Sequence, residues 1–300
     1  MFKKYIVNKD YHNSRFDKWF KQNIFNIPQS LIEKLIRKKK VKVNNKKIKT
    51  SHRIRLNDVI EIYGTESLKP TDKSKKIKYK PSEKEKNKYS EFIIENNSNF
   101  IVINKPSGIP VQSGTKSFRN IIDILKDTKY FIESKPFVVH RLDKETSGVM
   151  IVAKNREYAQ LFTSLFRIRK IHKTYLAVAT GKISENINLL EDNLVTYENN
   201  RKLIQKAVSN LRVLKSNNDY SLVELKPITG RKHQLRKQLF NIGHPIVGDN
   251  KYSNNLTKNK YKYNKLMLHS HKIKFMINQV KFNYMAKYEF EFENFIKKSF

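Results

Sequence analysis

The stretch His140-Arg141-Leu142-Asp143-Lys144-Glu145-Thr146-Ser147-Gly148 places one carboxylate, Asp143, in a short polar turn that ends on a glycine. An apolar run follows at once, Val149-Met150-Ile151-Val152-Ala153, whose composition predicts a buried strand. A turn leading into a strand can hold one side chain rigidly at a cavity wall. Arg141, two residues away, would keep that carboxylate ionised at neutral pH. An ionised carboxylate held in this way can attack an electrophilic carbon or take up a proton. Taken alone, an aspartate in a turn is more often an Asx turn or a helix cap.

Four further segments stand in order along the chain. They are Asn104-Lys105-Pro106-Ser107-Gly108, Lys173-Thr174-Tyr175-Leu176-Ala177, Thr229-Gly230-Arg231-Lys232-His233-Gln234-Leu235-Arg236 and His244-Pro245-Ile246-Val247-Gly248-Asp249. With the Asp143 string they are spread within roughly residues 95 to 275, and together they resemble the motifs of the RluA family of RNA pseudouridine synthases. The resemblance implies a long, mixed sheet with an RNA cleft across its middle. It also implies a reaction: the N1–C1′ bond of a uridine breaks, the uracil turns, and C5 joins C1′. No redox step, external group or energy-rich donor takes part, so no cofactor is expected.

The resemblance also distributes roles. Asp143 acts at the ribose, either as nucleophile at C1′ or as the group that manages a proton at C2′, and both routes stand. Any single one of the 15 tyrosines would otherwise read as a strand residue with a hydrogen-bonded hydroxyl. By resemblance, the Tyr175 ring stacks on the uracil and its hydroxyl accepts a proton when the base rejoins. Arg236 would otherwise read as an exposed helix charge; the resemblance makes it the buried ion-pair partner of Asp143, a bidentate guanidinium that fixes the carboxylate. Leu235 beside it becomes a pocket wall. Arg141 is expected to fill the space left by a flipped-out uridine, with pairing to a phosphate as the alternative. Two readings stand for Lys105, a phosphate contact or a solvated lysine in a turn. His140 reads as structural, hydrogen-bonded within its turn. Gly108, Gly148 and Gly230 read as backbone conformations closed to other residues.

The chain has 300 residues, a soft prior for two domains, and 38% of them are apolar, enough for a sizeable core. Its 62 Lys and Arg against 27 Asp and Glu give a formal charge of +35. Such a balance concerns partners and association rate rather than fold, and nucleic acid is the leading polyanion. A genome biased toward Lys, Asn and Ile would explain Lys over Arg but not the shortage of acids. With no cysteine, disulfides and thiolate metal sites are excluded. The eight histidines show no metal-ligand spacing such as H-E-x-x-H, and no metal is expected. No run approaches the ~20 apolar residues needed to span a bilayer. The opening residues have no apolar core of signal-peptide length. A soluble, cytoplasmic protein is the expectation, as a monomer without an obligatory protein partner.

Residues 67–90 carry nine lysines, Pro70 and Pro81 and few large apolar side chains, so they read as a Lys-rich linker, either a solvated spacer or an arm lying on RNA. Before it, Phe16, Trp19, Phe20 and Ile24 share one helical face, and a second helix starting at Pro28-Gln29-Ser30 buries Leu31, Ile32, Leu35 and Ile36. Arg37, Lys38, Lys39 and Lys40 exceed what a helix end needs and read as an RNA contact. Val41 to Ile48 reads as strand, Asn-containing turn, strand, and Leu56 to Ile62 as a further strand. Arg15-Phe16-Asp17, the basic helix, the hairpin and Asp58-Val59-Ile60 resemble the S4 RNA-binding domain. The expected architecture is therefore α+β: an S4-like domain over 14–66, the linker over 67–90, and a catalytic domain over 91–300 with a mixed, mainly antiparallel sheet. An S4-like domain joined to these motifs resembles the family members that act on 23S ribosomal RNA, free or in precursor particles, the C type ahead of the D type. A catalytically silent RNA-binding protein of ribosome assembly is the reading from a different class. Asp143, Tyr175 and Arg236 together argue against it, because a binding module needs none of them.

Overall fold

The computed structural model describes residues 2–64, 79–113, 119–198, 201–253 and 265–300. The chain divides into two compact units, Met1–Ile77 and Lys78–Phe300.

The first unit runs β1 (Phe2–Ile6), β2 (Ser14–Arg15), α1 (Phe16–Asn23), α2 (Gln29–Arg37), β3 (Val41–Val43), β4 (Arg53–Ile54) and β5 (Val59–Tyr63). It begins earlier than the expected residue 14, because β1 pairs along the whole of β5. The expected apolar faces meet in one core, where Phe16, Trp19 and Phe20 pack with Ile32, Leu35, Ile36, Ile60 and Ile62. Asp17 ties the two helix starts together, accepting from Arg15 Nη2 at 2.6 Å and Gln29 Nε2 at 2.9 Å. The turn after β3 has left-handed backbone at Asn44 and Asn45, φ 48° and 63°, as a tight hairpin turn requires. Its expected second strand shrinks to a single bridge, Val43 to Lys46, because β3 takes β5 as its partner instead. Arg37, Lys38 and Lys39 are exposed, whereas Lys40 is half-buried.

The second unit opens with α3 (Glu83–Ser90), inside the stretch 67–90 expected to be linker; residues 67–78 of that stretch lie outside the described residues. Its composition hid a helix whose order comes from three points. Ser82 caps it by accepting from Glu85 N, Glu85 accepts from Arg119 Nε at 2.7 Å, and Tyr89 is buried in the core. There follow β6 (Ile93–Asn96), β7 (Phe100–Lys105), α4 (Ile121–Lys126), β8 (Phe137–Val138), β9 (Ser147–Ala153), α5 (Arg156–Arg167) and β10 (His172–Thr180). Then come β11 (Leu189–Glu198), β12 (Arg201–Ser216), β13 (Tyr220–Pro227), α6 (Gln234–Asn241), β14 (Leu268–Ile277), β15 (Val280–Met285) and α7 (Phe290–Ser299). Among the described residues ten strands form one sheet, in the order β11-β12-β13-β10-β14-β9-β7-β6, with β15 on β14 and β8 on β9. The β9–β14 pair is parallel and the other pairs are antiparallel, so the sheet is mixed and mainly antiparallel as expected.

The continuous apolar run of β9 follows from its place, buried on both faces. Met150 and Val152 pack with Ile101, Ile103 and Leu125, while Val149 and Ile151 pack with Phe100, Phe162 and Phe275. At the start of β9 two backbones nearly touch. Gly148 has φ 110°, and a Cβ there would lie 2.2 Å from Ser270 O and 2.6 Å from Ser270 N. That junction locks the Asp143 turn to β14. Gly148→Ala is therefore expected to destabilise the second unit by at least about 3 kcal/mol, from backbone strain plus steric displacement, read as a lower urea midpoint at unchanged slope.

Two histidines brace the same junction. His140 Nε2 accepts from Ile151 N at 2.9 Å, and His269 Nδ1 lies 2.9 Å from Ser147 Oγ while its Nε2 faces Ala286 O at 3.3 Å. Burial pushes His140 down to about 3 and His269 down to about 4 from an ordinary 6.5. Between pH 6.5 and about 4 the unfolded chain therefore binds more protons than the folded one. Their contribution is complete above pH 6.5 and is lost as the pH falls toward 4. The expected slope lies between about 1.4 kcal/mol per pH unit for one histidine and about 2.7 for both. Urea midpoints measured across this range check it, and a flat profile would contradict neutral, buried rings.

Candidate active site

One cleft of about 1600 Å³ opens on the second unit, and the Asp143 turn forms part of its wall. The turn is fixed from behind by the segment after β7. Gly108 N donates to Lys144 O at 2.9 Å, and Ser107 Oγ donates to Glu145 O at 2.8 Å. Lys105 is the pin between the two segments. It is 0% exposed, and its Nζ donates to Pro106 O at 2.7 Å, Ile109 O at 2.9 Å and Lys144 O at 3.2 Å. Burial pushes its ammonium down to about 7, opposed by Glu289, Glu145 and Asp143. Both expected readings of Lys105 are thereby corrected: all three donors are spent on backbone carbonyls, and the side chain reaches neither phosphate nor solvent.

Asp143 projects from this turn with 29% of its side chain exposed. Arg236 Nη1 lies 3.7 Å from its Oδ2, and His233 Nε2 lies 3.7 Å from its Oδ1. The ion pair with Arg236 is present, but the expected bidentate fork is not directed at Asp143. Arg236 Nε and Nη2 instead donate to Asp249 Oδ2 and Oδ1, each at 2.7 Å. Asp249 is fully buried and can only be satisfied by such donors, whereas Asp143 faces the cleft. Asp249 Oδ1 also accepts from Lys251 N and Tyr252 N at 2.9 Å. Leu235, buried beside Arg236, lines the cleft as expected of a wall.

Tyr175 enters the cleft from β10, where the pairing to β14 slips by one residue between Thr174 and Tyr175. His271 of β14 is the extra residue, and such a bulge re-aims the neighbouring side chain. Burial pushes the Tyr175 hydroxyl up to about 12, with Ser270 hydrogen-bonded to it and Asp143 nearby. Arg141 is exposed on the rim and makes no ion pair with Asp143 among the described residues. His140 is held by the next strand rather than within its own turn. Gly230 has an ordinary backbone; a Cβ there would meet only Lys173 Nζ, at 3.9 Å, so the expected conformational reason for this glycine fails. The Asp143, Tyr175 and Arg236 side chains thus share one cleft, and Lys105 lies behind it.

The segment before α6 is shaped by side-chain bonds. Thr229 Oγ1 donates to Gln234 Oε1 at 2.8 Å, and Gln234 Nε2 donates to Val208 O and Ser209 Oγ at 3.0 and 2.9 Å. This turns the chain so that His233 takes a left-handed backbone, φ 54°, and faces the cleft. Sequence reasoning gave His233, Asp249 and Tyr252 no role. The signal for the first two was present, since both sit in quoted motifs as polar residues beside a glycine or a helix start. Tyr252 carried none.

The RNA pseudouridylate synthase family profile matches residues 99–241, and the S4 domain profile matches residues 15–60. The chain is similar to a protein of Rickettsia felis named ribosomal large subunit pseudouridine synthase C, with 36% identity over 277 residues, 87% of this chain and 88% of that one. A protein of the same name from Buchnera aphidicola is 29% identical over 307 residues, 97% of this chain and 95% of its own length. Among solved structures, human RNA Pseudouridylate Synthase Domain Containing 4 superposes with a TM-score of 0.59 at 27% identity, covering 71% of this chain and 94% of that one. The family match includes the segments that carry Asp143, Tyr175 and Arg236, and the likeness to full-length relatives runs through both units. With an S4 domain before it and the mixed sheet and cleft already described, the chain belongs to the RNA pseudouridylate synthase family.

Proposed function

We propose that this chain isomerises uridine to pseudouridine in 23S ribosomal RNA, as a C-type large-subunit enzyme acting in the cytoplasm. The observation that carries the reading is a cleft-facing Asp143 carboxylate held between Arg236 and His233, in a chain similar over most of its length to proteins named for that reaction. Among the described residues no helix is long and apolar enough to cross a membrane, which fits an RNA substrate in the same compartment.

In this reading Asp143 acts on the ribose, at C1′ or C2′, and Arg236 holds its charge in place. The raised Tyr175 hydroxyl favours a neutral phenol at rest. Tyr175 then serves as the ring on which uracil turns and as a hydrogen-bond donor, accepting a proton only after giving up its own. Arg141, exposed on the rim, suits the space left by a flipped nucleotide. Arg37, Lys38 and Lys39 supply contacts to RNA phosphates from the S4 domain.

Asp143→Asn is expected to slow pseudouridine formation in 23S RNA by at least about a hundredfold while RNA affinity and folding persist. Turnover within a few fold of wild type would remove Asp143 from the mechanism. Replacing Arg37, Lys38 and Lys39 by serine, with half-buried Lys40 left in place, should make the log–log salt dependence of RNA affinity shallower by roughly 2 to 3 units. Single-turnover rate on bound RNA should stay near wild type. An unchanged slope would make these residues a solvated helix end.

A further inference from the structure

We propose that His233 and Tyr252 are a positioning pair for Asp143: the Tyr252 hydroxyl donates to His233 Nδ1, which places the ring proton on Nε2 and aims it at Asp143 Oδ1. This rests on the reading of Asp143 as the reacting carboxylate.

Three features support it. His233 Nδ1 lies 2.9 Å from Tyr252 Oη, and the rings meet edge to face at 5.6 Å. Its Nε2 lies 3.7 Å from Asp143 Oδ1. Its backbone is left-handed at φ 54°, costly for a residue with a Cβ, and its side chain makes no cap bond to α6. The helix start therefore does not explain a histidine here.

The tautomer follows from charge. A lone pair on Nε2 would face a carboxylate, whereas an N–H there faces it favourably. The opposite ring nitrogen must then accept, and the Tyr252 hydroxyl lies within reach as a donor. The groups around the ring are Asp143 of the turn, Arg236 and Lys232 of the α6 region, and Lys251 beside Tyr252. Burial and the three cations hold the imidazole below its ordinary value against the pull of Asp143, so the ring is neutral at pH 7. Tyr252 is itself anchored: its N–H bonds Asp249, and the Arg236 guanidinium lies 5.2 Å from its ring. The short segment from Asp249 to Tyr252 thus fixes the donors for both oxygens of Asp143. At 3.7 Å the two donors stand just outside hydrogen-bonding distance, near enough for their charge and dipole to act on the carboxylate.

Two measurements test the pair. Nitrogen-15 spectra of ring-labelled protein, with the His233 signal assigned by its loss in His233→Gln, should show a neutral Nε2–H tautomer at pH 7. In Tyr252→Phe the tautomers should mix. A charged ring or an Nδ1–H tautomer in the wild type overturns the proposal, whether or not the RNA is isomerised. Absence of pseudouridine from wild-type reactions would instead defeat the reading of function.

The second measurement is single-turnover rate on bound 23S RNA. His233→Gln keeps an N–H near the place of Nε2, whereas the shorter His233→Asn does not reach, although asparagine tolerates a left-handed backbone better. Positioning predicts a loss of about thirtyfold for Asn, about fivefold or less for Gln and about five- to tenfold for Tyr252→Phe, at unchanged affinity. A purely structural role predicts Asn equal to or better than Gln, and that ranking overturns the pair.

Discussion

A buried guanidinium must be paired, and the way Arg236 is paired organises this site. Removing such a group from water costs several kcal/mol unless its donors are met with good geometry. Asp249 meets two of them at 2.7 Å and is itself saturated by two backbone N–H groups. Arg236 is therefore oriented before any substrate arrives, and the nitrogen left over, Nη1, points at Asp143. The carboxylate that faces the cleft is spared the work of holding its own partner. A field set up in advance costs no reorganisation at the moment of reaction, where such interactions contribute most.

The other side of Asp143 is held by a different device. Lys105 buries an ammonium between two turns and spends it on three carbonyls, one of them in the residue next to Asp143. Backbone carbonyls have no sequence signature, so a lysine in a turn reads as a surface charge. Gly148 then lets β9 pass within contact of β14, and His140 and His269 close the same junction. The floor of the cleft is rigid because each of its turns is cross-linked to a strand. Its rim is different: Arg141, Lys144, Arg169 and Lys232 are exposed there.

How much of this was legible follows from what each element depends on. The run Val149 to Ala153 announced a strand because both faces of β9 are apolar, and the stripe of α1 announced a helix because only one face is. The helix Glu83–Ser90 was missed because, beyond its Ser82 cap, its order comes from Arg119 and a single buried tyrosine, which its Lys-rich composition does not announce. The long hairpin of β11 and β12 was missed because burial alternates along it but residue type does not: Ser209 is buried while Val195, Ile204 and Leu214 are exposed. At the site, Asp143, Tyr175 and Arg236 were legible as motifs. The partner of the Arg236 fork was not, since Asp249 lies 13 residues away and only the fold brings it near.

A carboxylate presented to RNA meets a polyanion, and the structure separates the two electrostatic problems this raises. Asp143, Asp249 and Arg236 carry one net negative charge between them when His233 is neutral, so this trio by itself offers phosphate no attraction. The exposed cations of the rim, in a chain of net charge +35, supply the positive charge that this trio lacks. These rim charges sit in water and are screened beyond a Debye length of about 8 Å at physiological salt. The Arg236 contacts are buried and screened far less. The rim thus offers a polyanion interactions that salt can loosen. The geometry of the cleft-facing carboxylate is set by interactions that salt reaches far less.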